Sequence, residues 1–285
     1  MTKILVTGAD GQLGSEIVKL SRRFSNMKFT FLTIDNLDLT DNNRVSDYFS
    51  KHSFDYLINC AAYTAVDKAE SDREAAQEVN SSMVGLLGEI TAKSGTRVIH
   101  ISTDYVFDGK AHFPYTEDAS TNPASVYGKT KLEGEELLMR NNPQSVIIRT
   151  AWLYSSYGNN FVKTMIRLGK ERDEMRVVQD QIGSPTNAAD LAEAIVTIIY
   201  RVEEESYKFV PGVFHYTNEG VASWYDFAYH IFDLAKIDVT IVPVSSDEYP
   251  TPAPRPFYSV LSKQKIRSVY DVDTPHWYAS LCKLF

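Results

Sequence analysis

Short apolar runs alternate with longer amphipathic stretches along the first half of the chain. "KILVT" (3–7), "FTFLTID" (29–35), "YLINCA" (56–61), "RVIHIS" (97–102) and "SVIIRT" (145–150) read as buried strands. Between them, "GSEIVKLSRRF" (14–24) places Ile17, Val18 and Leu20 on one side of a helix. "DNNRVSDYFSKH" (41–52) spaces Val45, Tyr48 and Phe49 likewise, with Asp41 as its cap. One long helix is predicted within 72–93 and another over 124–140. Strand alternating with helix argues for an α/β fold, a doubly wound parallel sheet covered on both faces. The nearly continuous apolar character of the strands fits burial on both sides.

After residue 150 the pattern changes. Aromatics, glycines and prolines crowd into "AWLYSSYGNNF" and "YPTPAPRPFYS", and regular helices return at 188–202 and 223–235. The expected layout is a larger domain over 1–150 and a smaller C-terminal substrate-binding lobe over 151–285. The two are partly interleaved, with part of 182–212 returning to the first. A length of 285 residues accommodates both.

Composition narrows the function classes. A net charge of -8 argues against a broad nucleic-acid surface. No run approaches the ~18 apolar residues of a membrane span. The start "MTKILVTGAD" is too short in apolar residues for a signal peptide. Cys60 and Cys282 are too few for a zinc site of the usual spacing and read as free thiols of a reducing compartment. These features together predict a cytoplasmic protein without a membrane or nucleic-acid partner.

"VTGADGQLGSE" (6–16) joins the first strand to the first helix. Gly8, Gly11 and Gly14 permit the tight turn, the approach of backbone to a phosphate and close helix–strand packing. The helix start offers free N–H groups to a pyrophosphate. The spacing is G-x-x-G-x-x-G, and its place at the first turn makes the expected sheet Rossmann-type. A ribose-binding acid is expected about 20 residues further on. Asp35 ends the second predicted strand there, and Asp38 is a rival for the role. A carboxylate at this place favours NADH; the choice between NADH and NADPH stays open.

In "ASVYGKTKLEGEE" (124–136), Tyr127 and Lys131 lie four residues apart and share one helical face. A phenol titrates near ~10, so proton exchange near neutral pH asks for about 3 units of help. A nearby ammonium acts in that direction. Ser102 and Thr103 follow the fourth strand, at the strand ends where open α/β sheets bind ligands. Glycine turn, then hydroxyl, then Tyr-x-x-x-Lys is the order of the extended short-chain dehydrogenase/reductase superfamily, which the chain resembles.

The likeness is closer still. "VTGADGQLGSE", "NCAAYTAVDKAES", "ISTDYVFDG", "YGKTKLEGE", "RTAWLY", "GNNFVKTMIRLGKE", "DQIGSPT" and "PRPFYS" resemble the dTDP-4-dehydrorhamnose reductase family from end to end. That resemblance implies hydride transfer from NADH or NADPH to the C4 ketone of dTDP-6-deoxy-L-lyxo-4-hexulose, giving dTDP-L-rhamnose. It implies that Gly11, Gln12 and Leu13 follow the pyrophosphate, Asp38 and Leu39 flank the adenine, and Ala62, Tyr63 and Thr64 line the cofactor. Thr103 would bond the substrate carbonyl and Tyr127 donate the proton. Lys131 would hold the nicotinamide ribose and lower the phenol's pKa. Asp104 and Trp152 would meet the sugar. The family is also described with Mg2+, for which these residues suggest no ligands. Oligomeric state is left open, a homodimer among the options.

Arg255 lies in the proline-flanked "APRPF", and its fork suits a pyrophosphate as well as solvent. Two rival functions remain at this level. One is a sugar-nucleotide epimerase or dehydratase of the same fold. Dehydratases place an Asp-Glu pair after the threonine, whereas Asp104 is followed here by Tyr105. The other is a non-catalytic nucleotide-binding regulatory subunit, against which the set Thr103, Tyr127 and Lys131 argues.

Overall fold

A computed structural model describes residues 1–285. The chain opens with β1 (Thr2–Thr7), α1 (Gln12–Ser21), β2 (Met27–Leu32), α2 (Asn42–Lys51), β3 (Tyr56–Asn59), α3 (Val66–Ala69) and α4 (Arg73–Gln77). A π-helical turn (Glu78–Ser82) leads into α5 (Met83–Ser94), β4 (Arg97–Thr103), α6 (Val126–Asn141) and β5 (Val146–Thr150). Then come β6 (Leu153–Tyr154), α7 (Phe161–Glu171), β7 (Glu174–Val178), β8 (Ile182–Gly183), β9 (Thr186–Asn187) and α8 (Ala188–Glu204). The remainder is β10 (Gly212–His215), β11 (Ala222–Ser223), α9 (Trp224–Ala235), β12 (Thr240–Val244), α10 (Gln264–Tyr270) and α11 (Trp277–Cys282).

Six strands form the central sheet in the order β10-β5-β4-β3-β1-β2, and all of its pairings are parallel. The inner strands β1, β3, β4 and β5 bury both faces, since successive side chains point to opposite sides. Ile4 and Val6 enter one core with Ile17 of α1 and Leu191, Ile195 and Ile198 of α8. Leu5, between them in sequence, enters the other core with Val45 of α2, Leu87 of α5 and Leu138 of α6. Ile58 and Leu57 divide in the same way. Each such aliphatic side chain contributes on the order of 2 kcal/mol when fully buried. A third core gathers Val162 and Met165 of α7, Phe227 and Ile231 of α9, and Trp277 and Leu281 of α11.

Two features depart from the sequence reading. The second strand stops at Leu32, so Asp35 lies beyond it on an exposed turn. The long helix expected within 72–93 is interrupted by the π turn. Beyond residue 150 the chain comes back to the main sheet: β10 pairs with β5, and α8 covers one face beside α1. No helix is long and apolar enough to cross a membrane.

Candidate active site

The chain passes from β1 to β2 on one side and to β3 on the other, so a crevice opens at the carboxyl ends of β1 and β3. There lies a cavity of about 790 Å³, the size of a cofactor or ligand site. Its floor is the glycine turn. Gly8 adopts φ +64°, and a Cβ there would come 2.7 Å from the Ala61 nitrogen. A Cβ on Gly14 would come 2.2 Å from the Gly8 carbonyl oxygen. Both positions therefore exclude any side chain, and α1 starts hard against the strand with its first amides facing the cavity. Gly11 caps α1, and Gln12 and Leu13 line the same wall. Gln12 Oε1 accepts a bond from Asn160 Nδ2 at 3.0 Å, which ties the start of α7 over the turn.

At the far end Leu32, Thr33, Leu37, Asp38 and Leu39 line the cavity. Asp38 Oδ1 accepts bonds from the Thr40 hydroxyl at 2.7 Å and its amide at 2.9 Å. Those bonds hold the Asp38 carboxyl below its ordinary pKa, so it is anionic. Asp35 does not reach the cavity. Of the two rival acids, only Asp38 stands at the site.

Beyond β3, Ala62, Tyr63 and Thr64 line the wall. Asn80, in the π turn, clasps this loop: its Oδ1 accepts from the Tyr63 amide at 2.9 Å and its Nδ2 donates to the Tyr63 carbonyl at 3.1 Å. Sequence reading missed Asn80; its one signal is a polar residue inside an otherwise helical stretch.

The opposite wall brings Thr103, Asp104, Tyr127 and Lys131 together. Ser125 caps α6 by accepting the Gly128 amide at 3.1 Å, which starts the helix one residue before Tyr127. Gly128 packs so close to the preceding loop that a Cβ would meet the Tyr105 carbonyl oxygen at 2.2 Å. The Thr103 hydroxyl donates to Asp104 Oδ1 at 2.9 Å, while Asp104 Oδ2 is buried without a hydrogen-bond partner. Burial pushes the Asp104 carboxyl up to about 7. Burial also pushes the Tyr127 phenol up, partly offset by the Thr103 hydroxyl and reinforced by the charge of Asp104. Lys131 is almost wholly buried, and burial brings its ammonium down to about 8. Its Nζ donates to the Ile101 carbonyl at 2.7 Å. A neighbouring ammonium acts to lower the phenol, but burial among these residues outweighs it and raises the pKa.

Trp152 lines the cavity from beyond β5 with φ +50°, a left-handed conformation uncommon for a large side chain. Trp224 stacks on it with ring centroids 3.5 Å apart. Gly183 makes room behind, where a Cβ would meet Trp152 Cε2 at 2.5 Å. Neither partner was legible as part of the site. Arg255 lies outside the cavity. It pairs with Asp67 at 2.6 Å and donates to the Tyr105 hydroxyl at 3.1 Å, so both terminal nitrogens are engaged within the protein. Cys60 lines the cavity, but burial pushes its thiol up to about 12 and leaves it unreactive; Cys282 is exposed.

The cavity fits a dinucleotide: a Cβ-free phosphate turn at the floor, an acid at one end and unpartnered buried oxygens of Ser102, Asp104 and Thr150 at the other. Magnesium does not fit, since no group of three or more His, Cys, Asp or Glu side chains could hold a metal ion.

Comparison with known proteins agrees with this geometry. Residues 1–285 match the family described as RmlD substrate binding domain. A dTDP-4-dehydrorhamnose reductase of Aggregatibacter actinomycetemcomitans is 40% identical, covering 99% of this chain and 97% of that protein. The crystal structure of a dTDP-4-dehydrorhamnose reductase from Clostridium acetobutylicum superposes with TM-score 0.91 at 45% identity, covering 99% of this chain and 98% of that one. The Bacillus anthracis reductase in complex with NADP also gives 0.91, at 36% identity and the same coverage.

Proposed function

The chain belongs to the RmlD substrate-binding-domain family, and from that premise we propose that it reduces the C4 ketone of dTDP-6-deoxy-L-lyxo-4-hexulose to dTDP-L-rhamnose with NAD(P)H. The observation that carries the reading is convergence: Thr103, Tyr127 and Lys131 open into the same cavity as the glycine turn.

The first amides of α1, with Gly11, Gln12 and Leu13, bind the pyrophosphate, and Asp38 and Leu39 the adenosine end. Ala62, Tyr63 and Thr64 line the cofactor, and Lys131 holds its nicotinamide ribose. Bound there, the reduced nicotinamide supplies the hydride that C4 receives. Asp104 and Trp152 bind the sugar, and Thr103 orients its carbonyl. As C4 gains the hydride, the ketone oxygen becomes an alkoxide and takes the Tyr127 proton. A phenol whose pKa is raised by burial keeps that proton until the oxygen develops charge, which suits a donor in the reducing direction.

No cationic side chain lines the adenosine end, and Asp38 would repel a 2′-phosphate. We therefore expect NADH to be preferred over NADPH.

The rival elimination reading lacks its second base. Burial pushes the Tyr105 hydroxyl up to about 12, so it cannot take a proton near neutral pH. The deciding experiment supplies the 4-keto-6-deoxysugar nucleotide with NADH or NADPH in separate reactions. Stoichiometric loss of the reduced cofactor with formation of the 4-hydroxy sugar supports a reductase. Conversion without net cofactor consumption would mark an epimerase or dehydratase, and binding without turnover a regulatory subunit.

A further inference from the structure

Behind the cavity, Lys131 continues into a line of buried polar groups that the reaction above does not use. Thr7 ends β1, Asn59 ends β3, and His100 lies within β4; all three are buried inside the sheet. The Thr7 hydroxyl and the Ala61 amide both donate to Asn59 Oδ1, at 2.7 and 3.2 Å. Asn59 Nδ2 lies 3.0 Å from His100 Nδ1, and His100 Nε2 lies 3.3 Å from Lys131 Nζ.

The direction of this line is set at its far end. A backbone amide only donates, so the atom facing Ala61 is the Asn59 oxygen. The Asn59 nitrogen therefore faces His100, and it too only donates. His100 Nδ1 must accept, and a neutral ring then carries its proton on Nε2. That N–H points at Lys131. Against an ammonium it sets donor against donor; against an amine it makes a hydrogen bond.

We propose that His100 is a positioning residue for Lys131, held by Asn59 in its Nε2–H form, and that it disfavours the ammonium so that the lysine exchanges a proton readily beside Tyr127. Burial independently favours a neutral His100 and brings Lys131 down to about 8. Of the other groups facing Lys131, Glu135 and Cys60 act to favour the ammonium, yet neither is a free counter-ion and burial outweighs both. Cys60, after β3, stays a thiol. Glu135, one turn on along α6, is claimed by Arg149 of β5 at 2.7 Å. Tyr127 stays a phenol, and the Asp104 charge acts on Tyr127. The mechanistic part rests on Lys131 serving the reductase site; the tautomer does not.

Two measurements on the full-length protein test this. In 15N-histidine-labelled protein, with the His100 signals assigned by their loss in His100→Phe, Nε2 is expected protonated and Nδ1 bare from pH 6 to 9. An Nδ1–H ring or an imidazolium would overturn the proposal. In 13C-lysine-labelled protein, Asn59→Asp offers Nδ1 an acceptor and lets Nε2 accept from an ammonium. The Lys131 titration should then move up by about one pH unit or more, as should the matching limb of the kcat/KM profile. In Asn59→Asp combined with His100→Phe, most of that movement should vanish. An equal movement in the double variant would assign it to the added charge alone and overturn the relay. Both resonance readouts stand without turnover, so failure of the reductase reading would be seen separately.

Discussion

Tyr127 and Lys131 share one face of α6, yet burial drives them apart: the phenol holds its proton more tightly and the ammonium less. The four-residue spacing was readable from sequence; the direction of the shifts was not, because it depends on water excluded by β4, β5 and the Tyr105 loop. Tyr127→Phe is expected to lower kcat by about 10² to 10⁴, the usual worth of a placed general acid, with cofactor affinity changed less than about twofold. Near-normal turnover would remove the donor role. Asp104 carries a pH signature. Its ordinary pKa is 3.8 and its folded value about 7, so between these the folded state holds more protons and stability falls as pH rises. Above about 7 the cost is fully present. Asp104→Asn should abolish that slope and stabilise the protein by roughly 2 to 4 kcal/mol more at pH 8 than at pH 4, read by urea unfolding. An equal effect at both pH values would show that the carboxyl ionises freely. Asp38→Ala should raise kcat/KM with NADPH relative to NADH; an unchanged ratio would mean that Asp38 does not sense the 2′ position.

Among the elements, the π turn is the one that sequence periodicity concealed. A run such as "REAAQEVNSSMVGLLGEITAKS" reads as continuous helix, since an extra residue in one turn leaves the apolar spacing on either side intact. The reason for the turn is tertiary. It sets Asn80 against the loop after β3, and Gly134 of α6 lies so close that a Cβ would be 2.0 Å from the Asn80 carbonyl oxygen. Asn80→Ala leaves the Tyr63 amide and carbonyl without their partner. It is expected to cost roughly 1 to 3 kcal/mol and to weaken cofactor binding, measurable by denaturation and titration. The stacked tryptophans give a second handle. Gly183→Ala forces the Trp152 ring to move and should raise KM for the sugar nucleotide while leaving the affinity for NADH unchanged. A variant with unaltered KM would show that Trp152 is packing alone. The aromatic-rich character of this half was plain in the sequence, but pairing Trp152 with Trp224 requires two segments 72 positions apart to meet.

At the scale of the whole molecule, the parallel sheet was legible because the inner strands are largely apolar on both faces and helices alternate with them. The return of the chain was only partly legible. β10 is four residues long, and its membership in the sheet is decided by pairing with β5, not by its own composition. A ligand spanning the crevice binds the folded state alone. NADH at a hundred times its Kd should therefore add about 2.7 kcal/mol and raise the unfolding temperature by roughly 5 °C, whereas magnesium alone should add nothing. A magnesium-dependent rise would reveal ligands outside any acidic or imidazole cluster.

That late strand also bears on synthesis. The ribosome releases β5 some 62 residues before β10 begins, an interval of about 3 to 12 seconds at ordinary translation speeds. Throughout it the nascent chain carries the open edge of Val146–Thr150, and until Glu204 has been added α1 lacks the cover of α8 on its apolar side. Chaperone demand during translation should peak in that window and end once His215 has emerged.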